Sequence, residues 1–315
     1  MIESGESVVS TEIIASSRRT VNKYFIAAFF FLVAATIIYL LTPQGEIDII
    51  KTFMFKDNHL FLWMVFVGFA AEIVAGSMGM GYGVICTTIL LILNVPPPLI
   101  SASIHSAESF TSATGAFSHF KLGNVNKKLT KHLAIPAVIG AVIGAITLTY
   151  VGEKYAKITK PFIAAYTLYL GIRILQNAFR KKETVTFQST PRNQKKRINI
   201  TLLGGIGGFI DSFGGGGWGP LVTGTFIKNG RTPKYVIGSS TVAKFILTFA
   251  SAVTFIFTVG IHHWNIVAGL LLGGIVTAPF SAMLTTKLPV KKMFVAVGIV
   301  VIICSLISFY RAVFL

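Results

Sequence analysis

The chain of 315 residues is 53% hydrophobic and only 12% charged, and its formal net charge is +17. This composition excludes a soluble globular domain and predicts an all-α integral membrane protein that contacts the lipid bilayer over most of its length. The positive residues are dispersed between apolar segments, which argues against nucleic-acid binding and is typical of the cytoplasmic loops of a multi-pass protein of the cell membrane.

The first apolar segments in chain order predict one span and a hairpin. Tyr24–Leu41 is long enough to cross the hydrocarbon, and the polar connection Pro43–Asn58 follows it. The next apolar run, Leu60–Leu93, has roughly 34 residues, which is too long for one ordinary span. The glycine cluster Gly76–Gly83 divides this run into two short legs, and the prolines at 96–98 end the second leg.

Three full spans follow the hairpin, and the pattern then restarts. After the basic stretch Arg180–Arg197, a short leg at Ile198–Phe213 leads into the loop Gly214–Gly217, and a second short leg covers Trp218–Ile227. The spans of the first half are Leu99–His119, Leu133–Val151 and Pro161–Phe179, and those of the second half are Val236–Val259, Trp264–Leu284 and Val290–Phe314.

The two halves form an internal repeat. Both hairpins contain a glycine–aromatic–glycine triplet, and in both a proline lies 16 residues after the first glycine of the triplet. We therefore predict one N-terminal span plus two inverted repeats, each a short-legged helical hairpin followed by three transmembrane helices. The predicted segments are an N-terminal region at 1–59, repeat 1 at 60–179, a basic cytoplasmic linker at 180–197 and repeat 2 at 198–315.

The distribution of lysine and arginine predicts the topology, because these residues concentrate in cytoplasmic loops. If the linker 180–197 is cytoplasmic, the basic turns at 121–132, 228–234 and 287–292 lie on the same side. The N-terminus is then cytoplasmic, the C-terminus lies outside, and the two halves begin on opposite sides. The turn that contains Lys154, Lys157 and Lys160 is placed outside, against the rule.

The glycine-rich loops predict a binding site for an anion. Backbone without helical hydrogen bonds is tolerated at membrane depth only inside protein or beside a wet cavity. Glycine lets backbone N–H groups approach a ligand, and the start of the following leg favours negative charge. The alternative is close helix packing, which also uses glycine. The loop residues assigned to the substrate are Gly79, Gly81, Tyr82, Gly83, Gly214, Gly215, Gly216, Gly217 and Trp218.

The span after each hairpin has a polar face at helical spacing. Ionisable groups at this depth normally face a cavity or a partner. Glu108 and Lys244 occupy equivalent places in the repeat, which fits either a structural ion pair or a site where Lys244 attracts an anion. The two faces consist of Ser101, His105, Glu108, Ser112 and Gly115, and of Ile237, Thr241, Lys244, Thr248 and Ser251. Of these residues, His105, Thr241 and Lys244 are assigned to the substrate.

Three carboxylates, Glu72, Glu108 and Asp211, are predicted to act in ion coupling or proton transfer. Glu72 and Asp211 lie near the ends of the first legs, where a carboxylate caps backbone, takes a proton or binds a cation. The sequence contains no enzyme constellation, no metal-ligand spacing and no phosphate-loop motif. We therefore expect neither catalysis nor a cofactor nor a bound metal.

These motifs resemble the sulfite exporter TauE/SafE family of membrane permeases. The resemblance rests on Gly76–Gly83, on the matching Gly214–Pro220 and on the two-fold repeat, and it covers about residues 60–314. It implies a secondary transporter that moves sulfite, sulfonates or related organosulfur anions across the cytoplasmic membrane. The site is then expected near the midplane between the two halves, which rock against each other.

Other classes of function stay open at this stage. Membrane potential alone assists the export of an anion, whereas uptake needs coupling to protons or sodium. An ion-coupled permease for another small organic anion, a channel-like anion pore and a membrane scaffold without transport are the alternatives. The sequence also leaves open whether the chain works as a monomer or a homodimer.

Overall fold

The computed structural model describes residues 44–78, 80–152, 154–179, 198–260, 264–284 and 290–314. The predicted span Tyr24–Leu41, the linker 180–197 and the loop residue Gly79 lie outside these residues. The chain divides into two compact units, Met1–Lys56 and Asp57–Leu315, and the site discussed below belongs to the second unit.

The described residues are helical, and no strand occurs among them. A π-helical turn at Gly219–Thr223 interrupts the second leg of the second hairpin. The helices are α1 (Gln44–Met78), α2 (Tyr82–Ile92), α3 (Pro97–Lys121), α4 (Lys127–Gly152), α5 (Ala156–Phe179), α6 (Ile200–Gly214), α7 (Gly224–Lys228), α8 (Pro233–Thr258), α9 (Trp264–Leu284) and α10 (Val290–Phe314). An all-α fold is therefore confirmed, while the inverted repeat stays a prediction.

The first leg differs from its prediction. The described part of the predicted connection Pro43–Asn58 is not a loop, because α1 begins at Gln44 and continues for 35 residues. No proline or glycine lies between Gly45 and Gly68 to end the helix. The backbone leaves helical geometry at His59, where φ is 65°. The first leg is therefore the part of α1 that follows His59.

The composition of the helices supports a multi-pass membrane protein. In the part of the chain that the structure describes, four helices are long and apolar enough to cross a membrane, at His59–Gly76, Lys127–Gly152, Lys234–Thr258 and Lys292–Phe314. Large apolar side chains such as Phe110, Phe162 and Phe249 are exposed on the outer faces of the helices. Exposure of this kind is expected where the solvent is lipid.

In two helix pairs, a glycine lies directly against the backbone of the partner helix. Between α4 and α6, a Cβ added at Gly140 would lie 2.0 Å from the Gly205 carbonyl oxygen. Between α1 and α9, a Cβ added at Gly273 would lie 2.1 Å from the Val65 carbonyl oxygen. Small residues allow this close approach where helices associate by van der Waals packing. Each hairpin is therefore held by its first leg against a long helix of the other half.

α3 and α8 pack against each other along most of their length, and α5 packs against α10. Both α3 and α8 begin at a proline, Pro97 and Pro233, whose missing N–H is no loss in a first turn. One apolar core surrounds α2 and includes Tyr82, Ile104 and Phe255. This arrangement brings the two predicted polar faces together inside the protein.

Candidate functional site

The polar faces of α3 and α8 meet and form a seam between the two halves. The Lys244 ammonium contacts Glu108 Oε1, and the hydroxyls of Ser112 and Thr248 lie 3.3 Å apart. Both pairs are separated by 136 positions in the chain, as are Gly81 and Gly217. Residues at equivalent places in the predicted repeat therefore contact each other along this seam.

His105 connects the seam to the second hairpin. Its Nε2 lies 3.2 Å from the Asp211 backbone oxygen, and its ring stacks on Phe255 at 6.2 Å. Because a carbonyl oxygen only accepts, His105 Nε2 carries a hydrogen. Nδ1 is buried, and no hydrogen-bond partner for it occurs among the described residues.

In the second hairpin, the Asp211 carboxylate lies at the N-terminus of the second leg, where the sequence predicts that an anion binds. Its Oδ1 accepts a hydrogen bond of 2.7 Å from the Trp218 backbone N–H, while the Trp218 indole N–H donates to Ser240 Oγ at 2.9 Å. The N-terminus of this leg therefore already has a carboxylate from its own chain. The first hairpin differs, because Gly81 provides no side-chain cap for α2.

The two glycine loops are packed against each other. A Cβ added at Gly83 would lie 2.4 Å from the Gly215 carbonyl oxygen, and one added at Gly217 would lie 1.9 Å from Tyr166 Oη. The Thr87 hydroxyl donates to the Gly215 carbonyl at 3.0 Å, and the Tyr166 hydroxyl donates to the Gly216 carbonyl at 2.9 Å. This conformation favours the packing alternative for the loops, and their contact with a substrate stays a prediction.

Three buried acidic side chains lie near Lys244. Beyond residue 60 the sequence contains five acidic residues, Glu72, Glu108, Glu153, Glu183 and Asp211. Glu72 from α1, Glu108 from α3 and Asp211 from α6 are buried and interact electrostatically with the Lys244 ammonium. One possible ligand atom from each of His105, Glu108 and Asp211 lies within 4.8 Å of the other two. This spacing is close enough for the three atoms to bind one small cation.

The seam is more accessible at one end than at the other. Toward its buried end, His105 is 0% and Asp211 1% exposed, whereas the Lys244 side chain is 15% exposed. Ser112 and Thr241 are half-buried on the same side of the ion pair as the ends that carry Lys121 and Pro233. An ion approaching from that end meets Lys244 before it meets His105.

Several predicted site residues lie outside the charged cluster. The Tyr82 hydroxyl donates to the Leu270 carbonyl at 3.2 Å, and the Thr241 hydroxyl donates to the Ile237 carbonyl of its own helix at 2.8 Å. Gly81 adopts a φ of 110° at the start of α2. Gly214 packs on the Tyr166 ring.

Sequence reasoning missed the residues that close the loops. Thr87 and Tyr166 supply the hydroxyls that bind the loop carbonyls. Ser212 was missed as well, and it forms a hydrogen bond of 2.5 Å with Ser251 of the predicted polar face, between α6 and α8. A hydroxyl in an apolar span needs a hydrogen-bond acceptor. Tyr166 in the middle of a predicted span could therefore have indicated a contact with a loop carbonyl.

Comparisons with known proteins agree with these features. The sulfite exporter TauE/SafE family matches residues 64–308. The probable membrane transporter protein YtnM of Bacillus subtilis (strain 168) is 36% identical over 237 residues, which are 74% of this chain and 77% of the relative. The probable membrane transporter protein YjnA of the same organism is 26% identical, over 67% of this chain and 85% of the relative. No solved structure matches the chain.

Proposed function

Because the chain belongs to the sulfite exporter TauE/SafE family of membrane transporters, we propose that it carries a small sulfur-containing anion, such as sulfite or an organosulfonate, across the cytoplasmic membrane. The matched family and relatives are transporters, so the chain is a membrane transporter rather than an enzyme. The choice of substrate, the path and the residues that bind it are the proposal.

The observation that carries the proposal is the position of Lys244. Its ammonium lies inside the seam between α3 and α8, at the border between the half-buried part and the buried part. A cation at this depth is costly unless it has a partner or a function. Lys244 has a carboxylate partner in Glu108, yet part of its side chain stays accessible to an incoming anion.

The charge at the accessible end of the seam supports an anionic substrate. The turn between α3 and α4 contacts α8, since the Asn126 backbone N–H donates to Ser239 Oγ at 2.8 Å. The ends of α3, α4, α7 and α8 therefore lie together. They carry Lys121, Lys127, Lys128, Lys131, Lys228, Arg231 and Lys234. A mouth lined by one sign of charge raises the local concentration of the opposite ion.

Transport requires the buried end of the seam to open as well. At that end, His105 stacks on Phe255 and binds the Asp211 carbonyl, and Ser212 binds Ser251. These contacts join α3 and α8 to the second hairpin. We propose that they separate when the two halves rock, which exposes Lys244 to the other side of the membrane.

The proposal is tested with the full chain in proteoliposomes. Uptake of labelled sulfite, sulfate, thiosulfate and methanesulfonate is measured against concentration. We expect saturable uptake of at least one sulfur anion and its loss in Lys244→Ala. Uptake should be retained in the control Lys157→Ala, which removes an exposed lysine at the start of α5. Flux that rises without saturation would indicate a pore instead. Absence of flux for every anion, or normal flux in Lys244→Ala, would overturn the proposal.

A further inference from the structure

The cluster beside Lys244 contains three unsatisfied acceptors. His105 Nδ1, Glu108 Oε2 and Asp211 Oδ2 are buried, and no hydrogen-bond partner for them occurs in the described part of the chain. Each belongs to a side chain that is at most 3% exposed. Buried polar groups are normally paired, and an unpaired one needs an explanation such as an exchangeable ion or a catalytic role.

With both carboxylates ionised and His105 neutral, the cluster has an excess of one negative charge, which a bound proton would remove. Glu108 and Asp211 then bring two negative charges, and Lys244 brings one positive charge. Burial of net negative charge is unfavourable. Glu72 is a third buried acidic group that interacts electrostatically with Glu108 and Lys244. Among the described residues, the other titratable groups that interact electrostatically with the cluster are Tyr82 and Cys86 from α2 and, beside Asp211, Tyr166 from α5.

The chemistry of the acceptors favours a proton over a metal cation. One of the three is an imidazole nitrogen, whereas sodium and other hard cations take several oxygen ligands. The ammonium of Lys244 already contacts Glu108 and would repel a second fixed cation. A proton bound to one of these atoms instead becomes a hydrogen-bond donor for a neighbouring atom. It also neutralises one negative charge, so no second cation is placed beside Lys244.

We propose that His105, Glu108 and Asp211 together bind one exchangeable proton, and that this proton releases Lys244 from Glu108 so that the ammonium binds the substrate anion. The inference rests on the proposed function. The proton comes from a hydronium ion at the open end of the seam: an O–H bond of the hydronium breaks, an O–H bond to Glu108 Oε2 forms, and a water molecule is left behind. His105 and Asp211 each have a ligand atom within 4.8 Å of one of Glu108. No other covalent bond forms or breaks.

Charge conservation explains why proton and anion travel together. Before binding, the cluster contains two carboxylates and one ammonium. After one proton and one monovalent anion bind, it contains one carboxylate, one ammonium and one anion, so its net charge is unchanged. The buried site therefore accepts both ions together with a smaller electrostatic cost than either ion alone. Proton and anion then move in the same direction.

The coupling is tested in proteoliposomes that contain a pH-sensitive dye, with the voltage clamped by potassium and valinomycin. Methanesulfonate is the probe, because it stays ionised and carries no proton itself. Inward flux through the wild type is expected to acidify the lumen. Glu108→Gln imitates the protonated acid, so it should still exchange labelled methanesulfonate at equal concentrations but lose the acidification. Thr111→Val, a neighbouring change on α3, should behave as the wild type.

A measurement without substrate covers the case in which methanesulfonate is not carried. Infrared difference spectra of the full chain are recorded across pH, and a buried carboxylic-acid band that titrates in the wild type should be lost in Glu108→Gln and altered in Asp211→Asn. A band unaffected by both changes overturns the inference. Anion exchange in the wild type without lumenal acidification, or flux that follows a sodium gradient, also overturns it while the proposed function stands. Absence of any sulfur-anion exchange contradicts the proposed function instead.

Discussion

Lys244 of α8 and Glu108 of α3 form an ion pair inside the protein although 136 positions separate them in the chain. The two residues occupy equivalent places in the predicted repeat. An ion pair between equivalent positions lies where the two halves face each other, which is where transporters built from repeats hold their substrates. The pair is therefore the centre of both proposals.

Removal of one partner should destabilise the protein more than removal of both. Lys244→Met leaves Glu108 buried without its cation, and the loss of one partner of a buried pair costs about 3–5 kcal/mol. In the double variant Lys244→Met/Glu108→Gln neither charge remains, so we expect a cost well below the sum of the single costs. Thermal unfolding of the four proteins in detergent gives the double-mutant cycle. Additive effects would show that the contact has no energetic consequence.

Asp211 should have two separable roles, one as a cap and one as a charge. Asp211→Asn keeps an acceptor for the Trp218 N–H and should unfold at a temperature close to that of the wild type. Asp211→Ala leaves this buried N–H unpaired, which costs about 1–3 kcal/mol.

The matched control for the cap is Asn199→Ala. Asn199 caps α6 through a bond of 3.1 Å to the Leu202 N–H, but at an exposed position. We expect a loss of about 1 kcal/mol or less there. Equal destabilisation by Asp211→Asn and Asp211→Ala would contradict the capping role.

Gly217 should tolerate no side chain. Its φ is 143°, and an added Cβ would lie 1.9 Å from Tyr166 Oη, so Gly217→Ala should lower the unfolding temperature and the transport rate. Tyr166→Phe removes the clashing oxygen and should restore part of the loss when combined with Gly217→Ala. The control is Gly224→Ala, because the nearest atom to that Cβ lies 3.6 Å away. Comparable effects at Gly217 and Gly224 would argue against the packed loop.

The predicted orientation is tested with single cysteines. In a background without Cys86 and Cys304, Lys131→Cys and Lys228→Cys should resist an impermeant maleimide in intact cells, and Lys157→Cys should react. All three positions are exposed at helix ends. The expected result follows from the concentration of lysine and arginine in cytoplasmic loops. The opposite labelling pattern would invert the topology.

Much of the fold could be predicted from the sequence, because apolar length and helix breakers act locally. The spans Trp264–Leu284 and Val290–Phe314 were predicted with the bounds that the structure gives. The helix over residues 46–58 was not, since a polar sequence without proline or glycine is compatible with both loop and helix.

The candidate site could be predicted only in part. The helical spacing of His105 and Glu108 identified one face, and the repeat identified Lys244 opposite it. Contacts between the two glycine loops depend on tertiary packing, which cannot be deduced from the spacing of residues in the sequence. The same glycines suit a ligand or a neighbouring backbone, and only the structure puts Gly83 beside Gly215.

The seam itself is tested most directly by a reversible cross-link. The Ser112 and Thr248 hydroxyls lie 3.3 Å apart, so Ser112→Cys and Thr248→Cys in a cysteine-free background should form a disulfide between α3 and α8. Sulfite flux into proteoliposomes is measured before and after reduction. We predict that the oxidised protein is inactive and that reduction restores flux, with each single cysteine variant unaffected by oxidant. Undiminished flux in the fully cross-linked protein would contradict transport along this seam.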